Sequence, residues 1–196
     1  MMSILAQNME LIYELIAVIS GLTYVILIAR NKPIGWLFGI ISALFSIFLF
    51  IGFAKLYSEA ILYTYYVIAG FYGWYHWKSL NNQKKLVHVG WTKHVLIIFA
   101  CSVMSYMLFL IMAHFFPDGK RPLIDAFTTV FSFLATYMAT RKWISNWIYW
   151  IVIDLVSVWL YWSRDLEIYA LLMLIYALMA VYGYYSWRAQ EKTYNE

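Results

Sequence analysis

Seven long apolar runs, most separated by only a few residues, leave this chain few ways to fold. They lie at about 11–29, 34–53, 57–77, 95–115, 123–140, 143–162 and 166–187, each near the roughly 20 residues a helix needs to cross a bilayer. Of all residues 64% are hydrophobic and 12% charged, against roughly a half and a quarter in soluble domains. A water-soluble domain of this length could not hide so much apolar surface. In lipid, every backbone polar group must be paired inside its own segment or in a closed barrel, and runs of this length select helices. The expected fold is all-α and integral to the membrane, with seven transmembrane helices in one domain spanning 1–196.

The chain also repeats itself at a spacing of about 110 residues. Glu14, Arg30 and Trp36 return as Asp125, Arg141 and Trp147. Ala60, Leu62, Tyr66, Tyr72, Gly73, Tyr75 and Trp77 return as Ala170, Leu172, Tyr176, Tyr182, Gly183, Tyr185 and Trp187. Repeat one covers about 11–77 and repeat two about 123–187, which leaves the run at about 95–115 as a linking helix. One helix between two triplets makes spans one and five run the same way, so the expected layout is a parallel three plus one plus three. Two similar halves can rock about a site held between them, which points to a carrier.

Loop charge sets orientation. Arg30, Lys32, Lys78, Lys84, Lys85, Lys93, Arg141, Lys142, Arg188 and Lys192 fall on one side, and Lys55, Lys120, Arg121 and Arg164 on the other. This places the N-terminus outside the cytoplasm and the C-terminus inside. The basic excess is then a matter of topology and the anionic inner leaflet, not of a nucleic-acid partner. Met1-Met2-Ser3 lacks a basic n-region, so no cleavable signal peptide is expected, and the short loops suit a bacterial inner membrane.

Polar groups at membrane depth are expensive and mark function. Asp154 lies midway along the sixth run, and Asn146, Trp150, Asp154, Ser157 and Tyr161 share one helical face with it. The fifth run carries Asp125, Thr129, Ser132 and Thr136 at spacings of four, three and four, and the third carries Glu59, Tyr63 and Tyr66 at four and three. Three such faces suggest a central cavity. A carboxylate among π faces is a host for a cationic or electron-poor ring, with amides and hydroxyls choosing among rings by their edges.

Plainer roles stand beside these. Membrane Ser and Thr usually bond their own helix backbone or a neighbouring helix. Trp74, Trp77, Trp143, Trp162 and Trp187 sit near span ends, where aromatics anchor at the interface, and Trp36 and Trp74 are expected near an inner gate. Glu14 and Asp125 suit helix starts, stabilised by the helix dipole. Asp154 could instead partner a tyrosine or threonine across the bundle. His76, His88, His94 and His114 lack ligand spacing, so neither metal nor other cofactor is expected. The absence of a phosphate loop leaves ATP-driven pumping unsupported.

Leu56-Tyr57-Ser58-Glu59-Ala60 running into Tyr72-Gly73-Trp74-Tyr75-His76-Trp77, with Asp125-Ala126-Phe127-Thr128-Thr129 and Arg141-Lys142-Trp143-Ile144-Ser145-Asn146-Trp147-Ile148-Tyr149-Trp150, resembles the Pnu-type vitamin transporters. The resemblance runs from about Glu14 to Trp187. It implies three-helix halves joined by a linking helix, as in SWEET sugar transporters, a homo-oligomer such as a trimer, and facilitated diffusion. Direction would come from a cytoplasmic kinase that phosphorylates and traps the vitamin. The family's Asn-Trp-x-x-Trp motif maps onto Asn146 and Trp150, and its threonine pair onto Thr128 and Thr129.

The family carries nicotinamide riboside, thiamine or riboflavin. Two departures from riboside carriers matter: Tyr63 stands where many have glutamine, and Asp154 where some have asparagine. An added carboxylate that can pair with an aminopyrimidine favours thiamine, with nicotinamide riboside the alternative and neutral riboflavin third. The expected site is Trp150 stacked on the ring, Asn146, Thr128 and Thr129 at its edge, Asp154 or Glu59 supplying charge, and Tyr63 and Tyr66 closing the cavity. A membrane-embedded enzyme would need clustered acid, base or metal groups near one membrane surface, and a sensor would need larger loops than these.

Overall fold

A computed structural model describes the backbone of residues 2–54, 57–79, 86–115 and 122–195, and side chains within 8–52, 62–79, 86–115 and 122–193. The elements in chain order are α1 (Met2–Ala29), α2 (Gly35–Leu49) with a π-helical turn at Phe50–Ala54, and α3 (Tyr57–Ser79). They continue with α4 (Trp91–Phe115), α5 (Pro122–Thr140), α6 (Asn146–Trp162) and α7 (Glu167–Asn195). Among the described residues there is no sheet, and the only extended pairing is a bridge between Val87 and Trp143.

All seven apolar runs form helices. Among the described residues, five of these are long and apolar enough to cross a membrane: Asn8–Ala29, Gly35–Gly52, Trp91–Phe115, Pro122–Thr140 and Glu167–Thr193. The other two depart from expectation for separate reasons. With 17 residues, α6 spans only about 25 Å at 1.5 Å per residue. In α3, Tyr63, Tyr65, Tyr66, Tyr72 and Tyr75 dilute the aliphatic content.

The chain divides into two compact units, Met1–Lys84 and Lys85–Glu196. In the first, α2 packs against α1 and α3. In the second, α6 packs against α5 and α7, and α4 packs against α5.

The sequence repeat is also a backbone repeat. Asn31 and Lys142, 111 residues apart, both take left-handed conformations, with φ of 56° and 58°. Each ends its helix in the same way: Lys32 N donates to Leu27 O at 2.9 Å, and Trp143 N to Met138 O at 3.0 Å. This six-to-one bond satisfies carbonyls that a helix end leaves open. A tight turn of three-residue bonds follows in both, onto Gly35, Trp36 and Leu37 in one and Asn146, Trp147 and Ile148 in the other.

Each turn delivers a tryptophan to the same place. The rings of Trp36 and Trp77 meet edge-to-face at 5.5 Å and 87°, and those of Trp147 and Trp187 at 5.4 Å and 87°. Gly73 and Gly183 make the room. A Cβ there would stand 2.5 Å from the Trp36 ring and 2.6 Å from the Trp147 ring. Trp77 and Trp187 are therefore not interfacial anchors, as their positions near span ends suggested. Both are 0% exposed, because a glycine one turn earlier lets the partner indole lie across the helix. For the same reason Trp36 is a packed core residue.

At this end of the second unit, Val87 N donates to Lys142 O at 3.0 Å and Ile144 N to Val87 O at 3.1 Å. Lys142, counted from sequence among the exposed loop cations, is only 2% exposed. Burial lowers its ammonium from the usual lysine range to about 8. The unfolded chain then holds a proton on this lysine that the folded chain has lost between about pH 8 and the free-lysine value, so stability rises with pH across that window.

Two outcomes follow for purified protein in detergent. Gly183→Ala should lower the melting temperature through overpacking of about 1–3 kcal/mol, with part recovered by adding Trp147→Phe; an unchanged melting point would refute the lock. The parent should also gain stability between about pH 8 and 10, and Lys142→Met should abolish that gain in a pH series of melting curves.

Candidate functional site

The sixth-helix stripe is assembled from its first residue. Asn146 opens α6 at 1% exposure. Its Nδ2 donates to the Trp143 carbonyl at 2.6 Å, while its buried Oδ1 has no partner among the described residues. The counterpart in repeat one is Gly35. One repeat thus carries a free amide acceptor where the other has no side chain.

Trp150 and Asp154 follow at four-residue intervals, which keeps them on one side of the helix. Asp154 is the ninth of the 17 residues of α6, roughly 12 Å from either end at 1.5 Å per residue. It is 6% exposed, and no described residue donates a hydrogen bond to it. From α7, Tyr176 stands within electrostatic reach of its carboxylate. No Lys, Arg or His occurs in 122–140, 146–162 or 167–187, so these helices offer Asp154 no counter-cation. Repeat one has Ala43 at this position, 2% exposed. A carboxylate has taken the place of a packed methyl group.

Trp150 has an equally telling counterpart. In repeat one the matching residue is Gly39, where a Cβ would lie 2.8 Å from the Tyr24 ring. The residue matching Tyr24 is Ala135, which is 0% exposed. Large and small have changed helices: Tyr24 against Gly39 in one unit, Ala135 against Trp150 in the other. Trp150 packs against a core of Cys101, Val130, Phe131, Ala135 and Ile153 and is only partly buried. The indole is thus packed on that core without being fully buried.

The fifth-helix hydroxyls divide. Thr128 donates back to Ile124 O and Asp125 O at 3.1 and 3.0 Å, and Thr136 to Ser132 O at 2.8 Å. Ser157 of α6 does the same to Ile153 O at 2.9 Å. These groups are engaged with their own helices. Thr129, partly buried, has no such bond to a described residue.

In the first unit, the Tyr63 ring lies 5.2 Å from Phe50 and 5.3 Å from Tyr66. These two expected site residues form an aromatic cluster of their own. Glu59 belongs to α3, but its side chain lies outside the described residues.

Asp125 stands in the first turn of α5. Arg164, just past α6, donates from Nη2 to both of its carboxylate oxygens at 2.8 and 3.1 Å, tying the start of one helix to the end of the next. A groove of about 410 Å³ lies among α4, α5 and α6, lined by Ser102, Ser105, Tyr106, Leu123, Ile124, Phe127 and Val156. None of the expected site residues lines it.

Among the described residues no cluster of three or more His, Cys, Asp or Glu could hold a metal. Sequence reasoning missed Tyr176 as a neighbour of Asp154, although the repeat aligns it with Tyr66. It also missed Arg164 as the partner of Asp125. The second unit therefore carries, along one side of α6, a buried amide oxygen without a partner among the described residues, a partly buried indole and a buried carboxylate.

A family model described as nicotinamide mononucleotide transporter matches residues 11–189. The nicotinamide riboside transporter PnuC of Escherichia coli K12 is 24% identical over 203 residues, covering 89% of this chain and 84% of that protein. Its namesake in Haemophilus influenzae is 26% identical over 190 residues, covering 92% and 81%. The crystal structure of the vitamin B3 transporter PnuC has the same fold, with a TM-score of 0.73 at 24% identity over 91% of this chain and 81% of that one.

A buried carboxylate without a partner weakens the fold that holds it. Asp154→Asn should therefore raise the melting temperature of the purified protein, whereas Asp125→Asn, which breaks an ion pair, should lower it. A loss of stability in Asp154→Asn would mean that the carboxylate is a structural partner after all.

Proposed function

The chain belongs to the nicotinamide mononucleotide transporter family, and from that premise we propose that it carries a cationic aromatic vitamin of the nicotinamide riboside type across a bacterial inner membrane. The observation that carries this reading is Asp154. A carboxylate at mid-helix, with no basic side chain in 122–140, 146–162 or 167–187, attracts a permanent pyridinium cation and repels a phosphate. The riboside therefore fits better than the mononucleotide of the family's description.

Thiamine, preferred on sequence alone, gains no support from the relatives, which are named for nicotinamide riboside. The added carboxylate does not separate the two, since both are cations. In this reading the partly buried Trp150 stacks on the pyridinium ring. Asn146, whose Nδ2 is committed to Trp143, offers Oδ1 to the carboxamide N–H, and Thr129 offers a free hydroxyl. Thr128 supports the helix.

The remaining features of the reading follow the family resemblance. The helices form a parallel three plus one plus three, the N-terminus lies outside and the C-terminus in the cytoplasm. The protein assembles as a homo-oligomer, and a cytoplasmic kinase traps the incoming vitamin.

The test is counterflow in proteoliposomes loaded with unlabelled nicotinamide riboside. Labelled riboside should exchange and labelled nicotinamide mononucleotide should not. Asp154→Asn should weaken riboside binding at least tenfold, about 1.4 kcal/mol, and Thr128→Val should change it less than about twofold, within the usual ±0.5 kcal/mol of a neutral substitution. Equal exchange of riboside and mononucleotide would overturn the reading.

A further inference from the structure

We propose that His94, in the first turn of α4, is a positioning residue for the vitamin site: it holds the Tyr149 hydroxyl, and through it the turn of α6 that carries Trp150. The inference rests on the functional reading above.

Backbone pairing first brings the start of α4 to the start of α6. Val87 donates to Lys142 O at 3.0 Å and accepts from Ile144 N at 3.1 Å, and the two segments run parallel there. His94 follows Val87 by seven residues and Tyr149 follows Trp143 by six, and their side chains meet. His94 Nδ1 lies 3.0 Å from the Tyr149 hydroxyl, with the ring centroids 5.8 Å apart. A phenol can donate or accept, so this bond forms with either imidazole tautomer.

Tyr149 is also held by its ring. It stacks on Phe131 of α5 at 6.3 Å and 22°, and Phe131 lies 4.5 Å from Phe127. Tyr149 and Trp150 both pack against the core of Cys101, Val130, Phe131, Ala135 and Ile153. Two helices therefore fix the rotation of α6 in its first turn: α5 through the ring stack and α4 through the His94 bond. Neighbouring residues on a helix turn together, about 100° apart. A rotation that displaces Tyr149 carries Trp150 with it.

Repeat one lacks this device. Phe38 stands at the position of Tyr149 and Ser20 at that of Phe131, so neither the hydroxyl nor its stacking partner is present there. His94 itself lies between the two repeats in sequence. The bond thus joins a helix outside the repeat to the helix that carries Asn146, Trp150 and Asp154.

The experiment measures binding of labelled nicotinamide riboside to the full chain in detergent, with the melting temperature of every variant read alongside. His94→Leu should weaken binding roughly three- to tenfold, the net worth of one hydrogen bond. Tyr149→Phe, which removes only the hydroxyl, should weaken it equally, and the pair together should lose no more than either alone. A role confined to folding is separated by Trp150→Phe, which keeps a ring at that position. In that background His94→Leu should still lower the melting temperature but change riboside affinity less than about twofold.

Parent-like affinity in both His94→Leu and Tyr149→Phe, additive losses in the pair, or an undiminished loss in the Trp150→Phe background would overturn the positioning role while leaving the carrier intact. Absence of riboside binding to the parent would overturn the functional reading and this inference with it.

Discussion

In lipid, helices gain nothing by hiding apolar side chains from one another, so they hold together where their backbones can approach and their side chains interlock. In each unit of this chain that happens where an indole lies across a glycine. Trp36 covers Gly73 and meets Trp77 edge-to-face; Trp147 covers Gly183 and meets Trp187 in the same geometry. The preceding turns, with left-handed Asn31 and Lys142, exist to deliver those indoles. Each unit is pinned through the same few residues, which set the frame on which the candidate side chains stand.

A shared frame makes the differences between the repeats informative. Where the first unit has Gly35, Gly39 and Ala43, the second has Asn146, Trp150 and Asp154, one helical turn apart. The exchange of Tyr24 and Gly39 for Ala135 and Trp150 moves the aromatic ring onto the helix that carries the carboxylate. One copy thus packs inertly along this stripe, and the other presents an amide, an indole and an acid.

Much of this was legible in the sequence. The apolar runs named the helices, and the paired Tyr-Gly-x-Tyr-x-Trp signatures named the repeat before any coordinates. Asp154 and Asn146 stood out because a polar residue at membrane depth needs a reason. Other features were hidden because they depend on tertiary direction. A tryptophan near a span end can anchor at the interface or turn inward, and only the glycine one turn away distinguishes Trp77 and Trp187 from true anchors. Lys142 reads as a loop cation until Val87 pairs with that loop and covers it. Tyr176 is one of many tyrosines along α7, and its place beside Asp154 follows from the packing of α6 on α7. Substrate choice was the hardest part, since a carboxylate attracts any flat cation.

The central claim is that Asp154, buried at the midpoint of α6, is the counter-charge of the bound vitamin. An infrared difference spectrum taken on adding nicotinamide riboside, with the Asp154 bands assigned by Asp154→Asn, tests this directly. The account predicts that binding shifts the Asp154 carboxyl bands, a shift absent in the variant. An Asp154 band that is unmoved by the bound riboside would contradict it.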